Sequence, residues 1–386
     1  MSREVYMDHA ATTYIKEEVI EEMKPYLTDY FGNPSSIYKI SRKTKMAIDE
    51  SRMRIANAIN ANADEIYFTA GGSEADNWAL KGTALANKYK GNHIITTSIE
   101  HHAILHSCEY LEKLGFEITY LPVNEFGIVD VEDIKKSITD KTILVSIMFA
   151  NNEIGSIQPI EQIGEICRNK GIIFHTDGVQ AVGSIPIDVK KMNIDLLSMA
   201  SHKFYGPKGI GALYMRKGIK VDNLIHGGAQ ERAKRAGTEN VMAIVGMGKA
   251  IELTHKNMKE ERIRLSRLRD KMINELLNIP GTKLNGEEGE KRLPGNVNVS
   301  FELIDGDTLL MLLDSEGICA SSGSACSAGA LEPSHVLMAI GLNEDLAKGS
   351  LRLTLGYRTT EEDVEYAVNT IKKLVNKIRD NKKKWK

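Results

Sequence analysis

From about residue 60 the chain alternates short apolar runs with stretches of helical periodicity, and that alternation limits its fold more than any other feature. EIYFT (65–69), HIITTS (93–98), EITYLPV (117–123), TILVSIMF (142–149), IIFHTD (172–177), IDLLSMA (194–200) and GALYMR (211–216) read as strands. Between them EADNWALKGTALANKY, HAILHSCEYLEKLG, VDVEDIKKSI and IEQIGEICRNKG read as helices, the last with a glycine stop. TILVSIMF is apolar enough to be buried on both faces. The pattern predicts an α/β fold, a mostly parallel sheet with helices on both sides. Ligands of such sheets sit beyond the carboxyl ends of the strands. The loops to watch are therefore 70–74, 99–103, 150–155, 177–180 and 201–209.

A second region follows. Residues 241–278 are strongly helical and increasingly charged, which suits a connector. After Pro280-Gly281, NVNVSFE (296–302), GICASS (317–322) and SLRLTLG (350–356) look like strands of a smaller sheet. DGDTLLMLLDSEG and TEEDVEYAVNTIKKLVNKIRD are its helices, the last capped by Thr359 or Thr360. A chain of 386 residues is too long for one ordinary core and suits two domains.

The formal net charge of −2 gives no global case for binding nucleic acid directly, and the basic run NKKKWK reads as a solvated tail. The cysteines, Cys108, Cys167, Cys319 and Cys326, show no CxxC spacing, so neither a zinc site nor a thioredoxin-like motif is expected. MSREVYMDHAATT is not a signal peptide and no apolar run reaches membrane-spanning length. A cytoplasmic, reducing setting without membrane association is the expectation.

The chemistry gathers in the watched loops. Lys203 leaves a strand-like run inside SHKFYGPKG, and Asp177 ends another. A lysine that forms a Schiff base and a carboxylate that pairs with a pyridine nitrogen are what pyridoxal 5'-phosphate chemistry requires. A plain turn lysine and a helix-capping aspartate are the alternatives. Gly71-Gly72-Ser73 joins a strand to a helix, where backbone N–H groups bind phosphate well; a serine-capped turn is the alternative. Gln180 could reach the cofactor's phenolic oxygen. His101 and His102 could stack on a ring and relay protons, or be structural. Arg352, alternating with leucines, either grips a carboxylate from inside or faces water from an edge strand. Cys326 sits in SSGSACSAG, where glycines let a thiol move and react. Cys108, Cys167 and Cys319 read as packing residues.

YMDHAATT (6–13), FGNPSS (31–36), FTAGGSEADN (68–77), EHHA (100–103), NNEIG (151–155), HTDGVQ (175–180), SHKFYGPKGIGALY (201–214), RAGTEN (235–240), SSGSACSAG (321–329) and LEPSHV (331–336) run in order along nearly the whole chain. With them the chain resembles the cysteine desulfurases of the nitrogen-fixation and iron–sulfur-assembly group, which are fold-type I pyridoxal phosphate enzymes. The resemblance implies a large, mostly parallel seven-stranded sheet domain over 15–255. A smaller α+β domain would combine 1–14 with 256–386. It implies a covalent aldimine of pyridoxal 5'-phosphate with Lys203, and Cys326 as the nucleophile that carries a persulfide. Asp177 would pair with the pyridine nitrogen, Gln180 with the phenolic oxygen, and His101 would stack on the ring and serve catalysis. Gly72, Ser73 and His202 would line the phosphate site. Asn152 would position cofactor or substrate, and Arg352 would hold the carboxylate of L-cysteine. Thr238 would reach the neighbouring subunit's phosphate, which implies a homodimer. The persulfide would pass to an acceptor protein, for iron–sulfur cluster assembly or tRNA thiolation. On a scaffold partner Cys326 could also be a transient cluster ligand.

Two departures from the family pattern stand out. Ala200 occupies a position where relatives usually have a serine facing the phosphate, with Ser201 beside it. HGGAQE (226–231) has alanine where a third glycine is common. The rival readings are a selenocysteine lyase or other fold-type I enzyme, and a catalytically silent sulfur-delivery scaffold.

Overall fold

The computed structural model describes residues 3–322 and 333–384; Cys326 lies outside the described residues. All seven strands read from the first two-thirds of the chain are present and form one sheet. Their order is Ile66–Thr69, Gly211–Met215, Leu196–Ala200, Ile173–Asp177, Thr142–Ser146, His93–Thr97, Glu117–Leu121. Gly211–Met215 is antiparallel to both neighbours, and the pairings from Leu196–Ala200 through to Glu117–Leu121 are parallel. Several strands end before their apolar runs do. Past Ser146 the ladder loosens, yet Ile147 N–H still donates to His175 O at 3.1 Å and Phe149 N–H to Asp177 O at 2.8 Å.

Successive residues on a strand face opposite sides, and the two sides have separate cores. Ile95, Val145 and Leu197 pack with Ile55, Ile163 and Met247 on one face. Ile94, Leu144 and Leu196 pack with Trp78, Cys108 and Leu111 on the other. This two-sided burial is why the strands read as near-continuous apolar runs.

The helix Lys39–Ala58 was not expected from the sequence. Its buried positions include Ser41, Thr44, Ser51 and Arg52 as well as aliphatic residues, so its apolar stripe is thin. It packs against the long helix Val241–Leu277 at close range: a Cβ on Gly248 would lie 2.7 Å from Ser51 Cα. The short helices Glu17–Met23 and Pro25–Thr28 and the strand Thr282–Leu284 were also not anticipated.

The second sheet places Asn296–Phe301 between Ser350–Thr354 and Thr282–Leu284, all antiparallel. GICASS contributes only Ile318–Cys319, which pairs in parallel with Val5–Tyr6. Val5 and Met7 thereby join Val299, Phe301, Leu353 and Ile371 in a separate core. Thr360, not Thr359, caps the helix Glu361–Lys384: Asp363 N–H donates to Thr360 Oγ1, and Thr360 N–H to Asp363 Oδ2. No helix among the described residues is long and apolar enough to cross a membrane.

Candidate active site

Five strand ends of the large sheet open onto one cavity of about 270 Å³. Gly72 and Ser73 follow the first strand, His101 the next, Asn152 the third, Asp177 and Gln180 the fourth, and Ala200, His202 and Lys203 the last. Arg352 enters from the small sheet. The strand ends of the large sheet thus gather the residues from Gly72 to Lys203, and the small sheet adds Arg352.

The Gly72–Asn77 helical turn starts at the wall of this cavity. A Cβ on Gly72 would lie 2.7 Å from Val179 Cγ2, so only glycine lets the turn sit against the Asp177 loop. Glu74 fixes the turn by accepting Ala70 N–H at 2.9 Å and pairing with Arg235 at 2.8 Å. His202 hydrogen-bonds Thr12 Oγ1 through Nδ1 at 3.1 Å. Burial, with Lys203 and Lys208 nearby, holds its pKa down to about 4, so it faces the cavity as a neutral ring.

Ala200 lies beside Gly72: a Cβ there would be 3.5 Å from Ala200 Cβ. The neighbouring Ser201 does not replace the absent hydroxyl, because its buried Oγ has no hydrogen-bond partner and points toward Gly206. Ala200→Ser should therefore add one donor to the anion cradle and tighten cofactor binding about tenfold, the worth of one hydrogen bond to a charged group. Equilibrium dialysis of the apoprotein against pyridoxal phosphate checks this; unchanged or weaker binding would refute it.

Lys203 leaves its strand through the single turn Ser201–Lys203, and its Nζ donates to the carbonyls of Ala10 and, at 2.8 Å, Ala11. The N-terminal segment thus passes over the lysine. Gln180 Nε2 donates to the same Ala10 carbonyl at 3.1 Å. Asp177 is buried at its strand end and accepts Val179 N–H at 2.9 Å. Burial raises its pKa, while His101, the Val179 N–H and Lys203 pull it down. His101 caps the helix His102–Lys113 by accepting Ala103 N–H on Nδ1 at 3.1 Å. Burial lowers its pKa, while the Asp177 charge opposes that shift.

Arg352 is 2 % exposed, so the edge-strand reading in which it faces water does not hold. Its Nη2 donates to Asp8 Oδ1 at 2.9 Å and its Nη1 to Asn152 O at 3.3 Å. Asp8 was not singled out from the sequence, although it sits in YMDHAATT; the pairing needs the parallel bridge between Asp8 and Thr354, which local pattern cannot show. Thr238 is exposed and does not line this cavity.

The segment that carries Cys326 is anchored at both described flanks beside the cavity. Ser321 exchanges backbone hydrogen bonds with Arg352 at 3.1 and 2.7 Å. Ser334 Oγ donates to Glu153, next to Asn152. The described cysteines are not primed to react. Cys108 and Cys167 are buried, and burial pushes both thiols well up; half-buried Cys319 is shifted the same way.

Behind the cavity His175 is wholly buried, with Nδ1 on Ser146 Oγ at 2.8 Å and Nε2 on Ser198 Oγ at 3.0 Å. Burial holds its pKa down to about 3, against the usual 6.5. The unfolded chain therefore takes up a proton that the folded one refuses. This contribution to stability is full above about pH 6.5 and is lost as pH falls toward 3. The His175 ring resonances should show no titration down to pH 5; a midpoint near neutrality would contradict the neutral-ring assignment.

The chain matches the family model of class-V aminotransferases over residues 5–367. It is 60 % identical over 387 aligned positions to the cysteine desulfurase IscS of Clostridium botulinum, covering 100 % of this chain and 98 % of that protein. Among solved structures, a NifS-like protein is 38 % identical with a TM-score of 0.91, over 97 % of this chain and 100 % of the other. A structure described as SspA in complex with cysteine is also 38 % identical, with a TM-score of 0.82, over 91 % and 98 % of the two chains. Fold, the order of motifs and identity across the full length agree: this chain belongs to the cysteine desulfurase family, within the class-V aminotransferases of fold type I, which work with pyridoxal phosphate.

Proposed function

We propose that this protein is a cysteine desulfurase that removes sulfur from L-cysteine, leaving alanine and a persulfide on Cys326, with pyridoxal 5'-phosphate bound covalently at Lys203. The carrying observation is one cavity that gathers Lys203, Asp177, His101 and Arg352 while both flanks of the Cys326 segment are tied to its rim.

The residues fit the cofactor. The helix start at Gly72-Ser73, with neutral His202 beside it, suits the phosphate. Asp177 suits the pyridine nitrogen, Gln180 the phenolic oxygen, and His101 the ring face. Bound there, the cofactor supplies an electron sink for the substrate α carbon. The chain does the rest. Arg352 holds the substrate carboxylate, with Asn152 beside it positioning substrate and cofactor. Lys203, on its rigid turn, takes the α proton and later returns one. The Cys326 thiolate attacks the substrate sulfur, so that an S–S bond forms as the C–S bond breaks. Carbon keeps the electron pair of the broken bond and, once protonated, leaves as alanine. An acceptor thiol then takes the sulfur.

The partner reading follows the same residues. Thr238, exposed on this chain, is the residue assigned to the neighbouring subunit's phosphate in a homodimer. The sulfur acceptor is an iron–sulfur scaffold or a tRNA-thiolation protein, and Cys326 is the residue that would briefly ligate a nascent cluster. Incubation of the loaded enzyme with L-cysteine and a thiol reductant should give equimolar alanine and sulfide, with both lost in Cys326→Ala. No turnover by the cofactor-loaded wild type would end the desulfurase reading.

A further inference from the structure

The sequence motifs NNEIG (151–155) and LEPSHV (331–336) enter the proposed reaction only through Asn152. The fold joins them by a different pair. Ser334 Oγ donates to Glu153 Oε2 across 181 residues of chain, and both residues are 6 % exposed.

Glu153 is a fixed post. Its N–H donates to Asn151 Oδ1 at 2.8 Å. Its carbonyl accepts Asn296 Nδ2 at 3.0 Å and Asn298 Nδ2 at 3.1 Å, both from the central strand of the small sheet. It follows Asn152, which lines the cavity and accepts Arg352 Nη1 on its carbonyl. Ser334 opens the helix His335–Ala339, whose Leu337 N–H donates to the same Oγ at 3.3 Å. One hydroxyl serves both partners because it donates to the carboxylate while accepting from the amide.

The two ends of the Cys326 segment are therefore held in different ways. At Ser321 the tie is backbone to backbone, on Arg352. At Ser334 it is side chain to side chain. Beyond it, Val336, Leu337 and Ile340 pack with Ile99, Met148 and Ile154, and His335 Nε2 lies 3.0 Å from Glu100 O. Apolar packing keeps the helix on the body of the protein but has no direction. The buried hydrogen bond between Glu153 and the cap residue supplies the direction.

We propose that Glu153 and Ser334 are positioning residues: their hydrogen bond fixes the exit of the Cys326 segment relative to Asn152 and Arg352, and so sets how readily the Cys326 thiolate reaches the substrate sulfur. This rests on the desulfurase reading above. Neither residue lines the cavity, and the contacts to cofactor and substrate carboxylate belong to other side chains. Loss of the pair therefore strikes the attack on sulfur and spares the binding of L-cysteine.

The test uses the cofactor-loaded full chain and two readouts. One is the affinity for L-cysteine, from the rapid change in visible absorbance; the other is the single-turnover rate of persulfide formation on Cys326. Glu153→Ala, which leaves the helix cap in place, and Ser334→Ala should each slow the persulfide step by about 10- to 100-fold, the cost of misplacing a reacting group by roughly 1 Å. L-cysteine affinity should stay close to that of wild type. The double variant should be no slower than the slower single one, because each removes the same bond. Glu153→Gln keeps an acceptor for the Ser334 hydroxyl and should retain nearly the wild-type rate. Unchanged persulfide rates in both alanine variants would overturn the proposal, as would a Glu153→Gln protein as slow as Glu153→Ala. So would losses that add in the double variant, or an equal loss of L-cysteine affinity. Should Glu153→Ala not fold, Ser334→Ala and Glu153→Gln decide. A cofactor-loaded wild type that releases no alanine ends the desulfurase reading and this one with it. A wild type that turns over no faster than the alanine variants ends this one alone.

Discussion

Lys203→Ala should lose turnover of L-cysteine by at least about 10²–10⁴-fold, the usual worth of a positioned proton-transfer group. The covalent link to the cofactor should disappear with it. The case is geometric. Lys203 is the lysine that lines the cavity where five strand ends meet, and the carbonyls of Ala10 and Ala11 hold its amine there. Lys208, five residues on and exposed, has the same kind of sequence context, a glycine-rich turn, without the cavity. Lys208→Ala should therefore turn over at close to the wild-type rate. Alanine release by both variants, with visible spectra of each, separates the two lysines. If Lys203→Ala retained a normal spectrum and rate, the assignment would be wrong.

The second large effect concerns stability. Arg52 and Glu231 form a bidentate ion pair at 2.7 and 2.8 Å, with side chains 8 % and 3 % exposed. Glu231 also accepts Phe68 N–H at 2.8 Å, and Arg52 donates to Ile66 O. The pair ties helix Lys39–Ala58 and the first sheet strand to an unusual turn. Glu231, Arg232 and Ala233 are three successive non-glycine residues in left-handed backbone, at φ 46°, 57° and 61°. Each such residue costs about 1 kcal/mol or more, so this turn persists only where its surroundings over-determine it. Arg52→Met leaves the Glu231 carboxylate buried without its partner. It should lower unfolding free energy by about 3–5 kcal/mol. Arg54→Met, which breaks pairs with the more exposed Glu22 and Glu50, should cost about 1 kcal/mol or less. Urea midpoints at constant slope measure both. Equal, small losses would show that the buried pair does not hold the turn.

What could be read from the sequence and what could not divide along physical lines. The strands of the large sheet were legible because burial on both faces leaves long apolar runs. The site loops followed from topology, since parallel strands send their carboxyl ends to one edge. Lys203, Asp177 and Gly72 could each be given a role because the chemistry demands those residue types at strand exits. Helix Lys39–Ala58 was hidden because its buried face is built partly of Ser41, Thr44, Ser51 and Arg52 rather than an apolar stripe: the Thr44 and Ser51 hydroxyls donate to backbone carbonyls, and Arg52 pairs with Glu231. Asp8 on Arg352 was hidden for a different reason. The pair depends on a contact between segments 344 residues apart. The Ala200–Ser201 exchange shows the limit of motif reading from the other side. The motif contains a serine, but the fold turns its hydroxyl away from the cradle.

The most direct test of the account is a single turnover. The cofactor-loaded protein, reduced and freed of small thiols, is mixed with one equivalent of L-cysteine and examined by mass spectrometry of its peptides. The account predicts one equivalent of alanine, and the mass of one sulfur atom added to the peptide that contains Cys326, with those of Cys108, Cys167 and Cys319 unchanged. Alanine formed with no sulfur on Cys326, or sulfur on another cysteine, would contradict it.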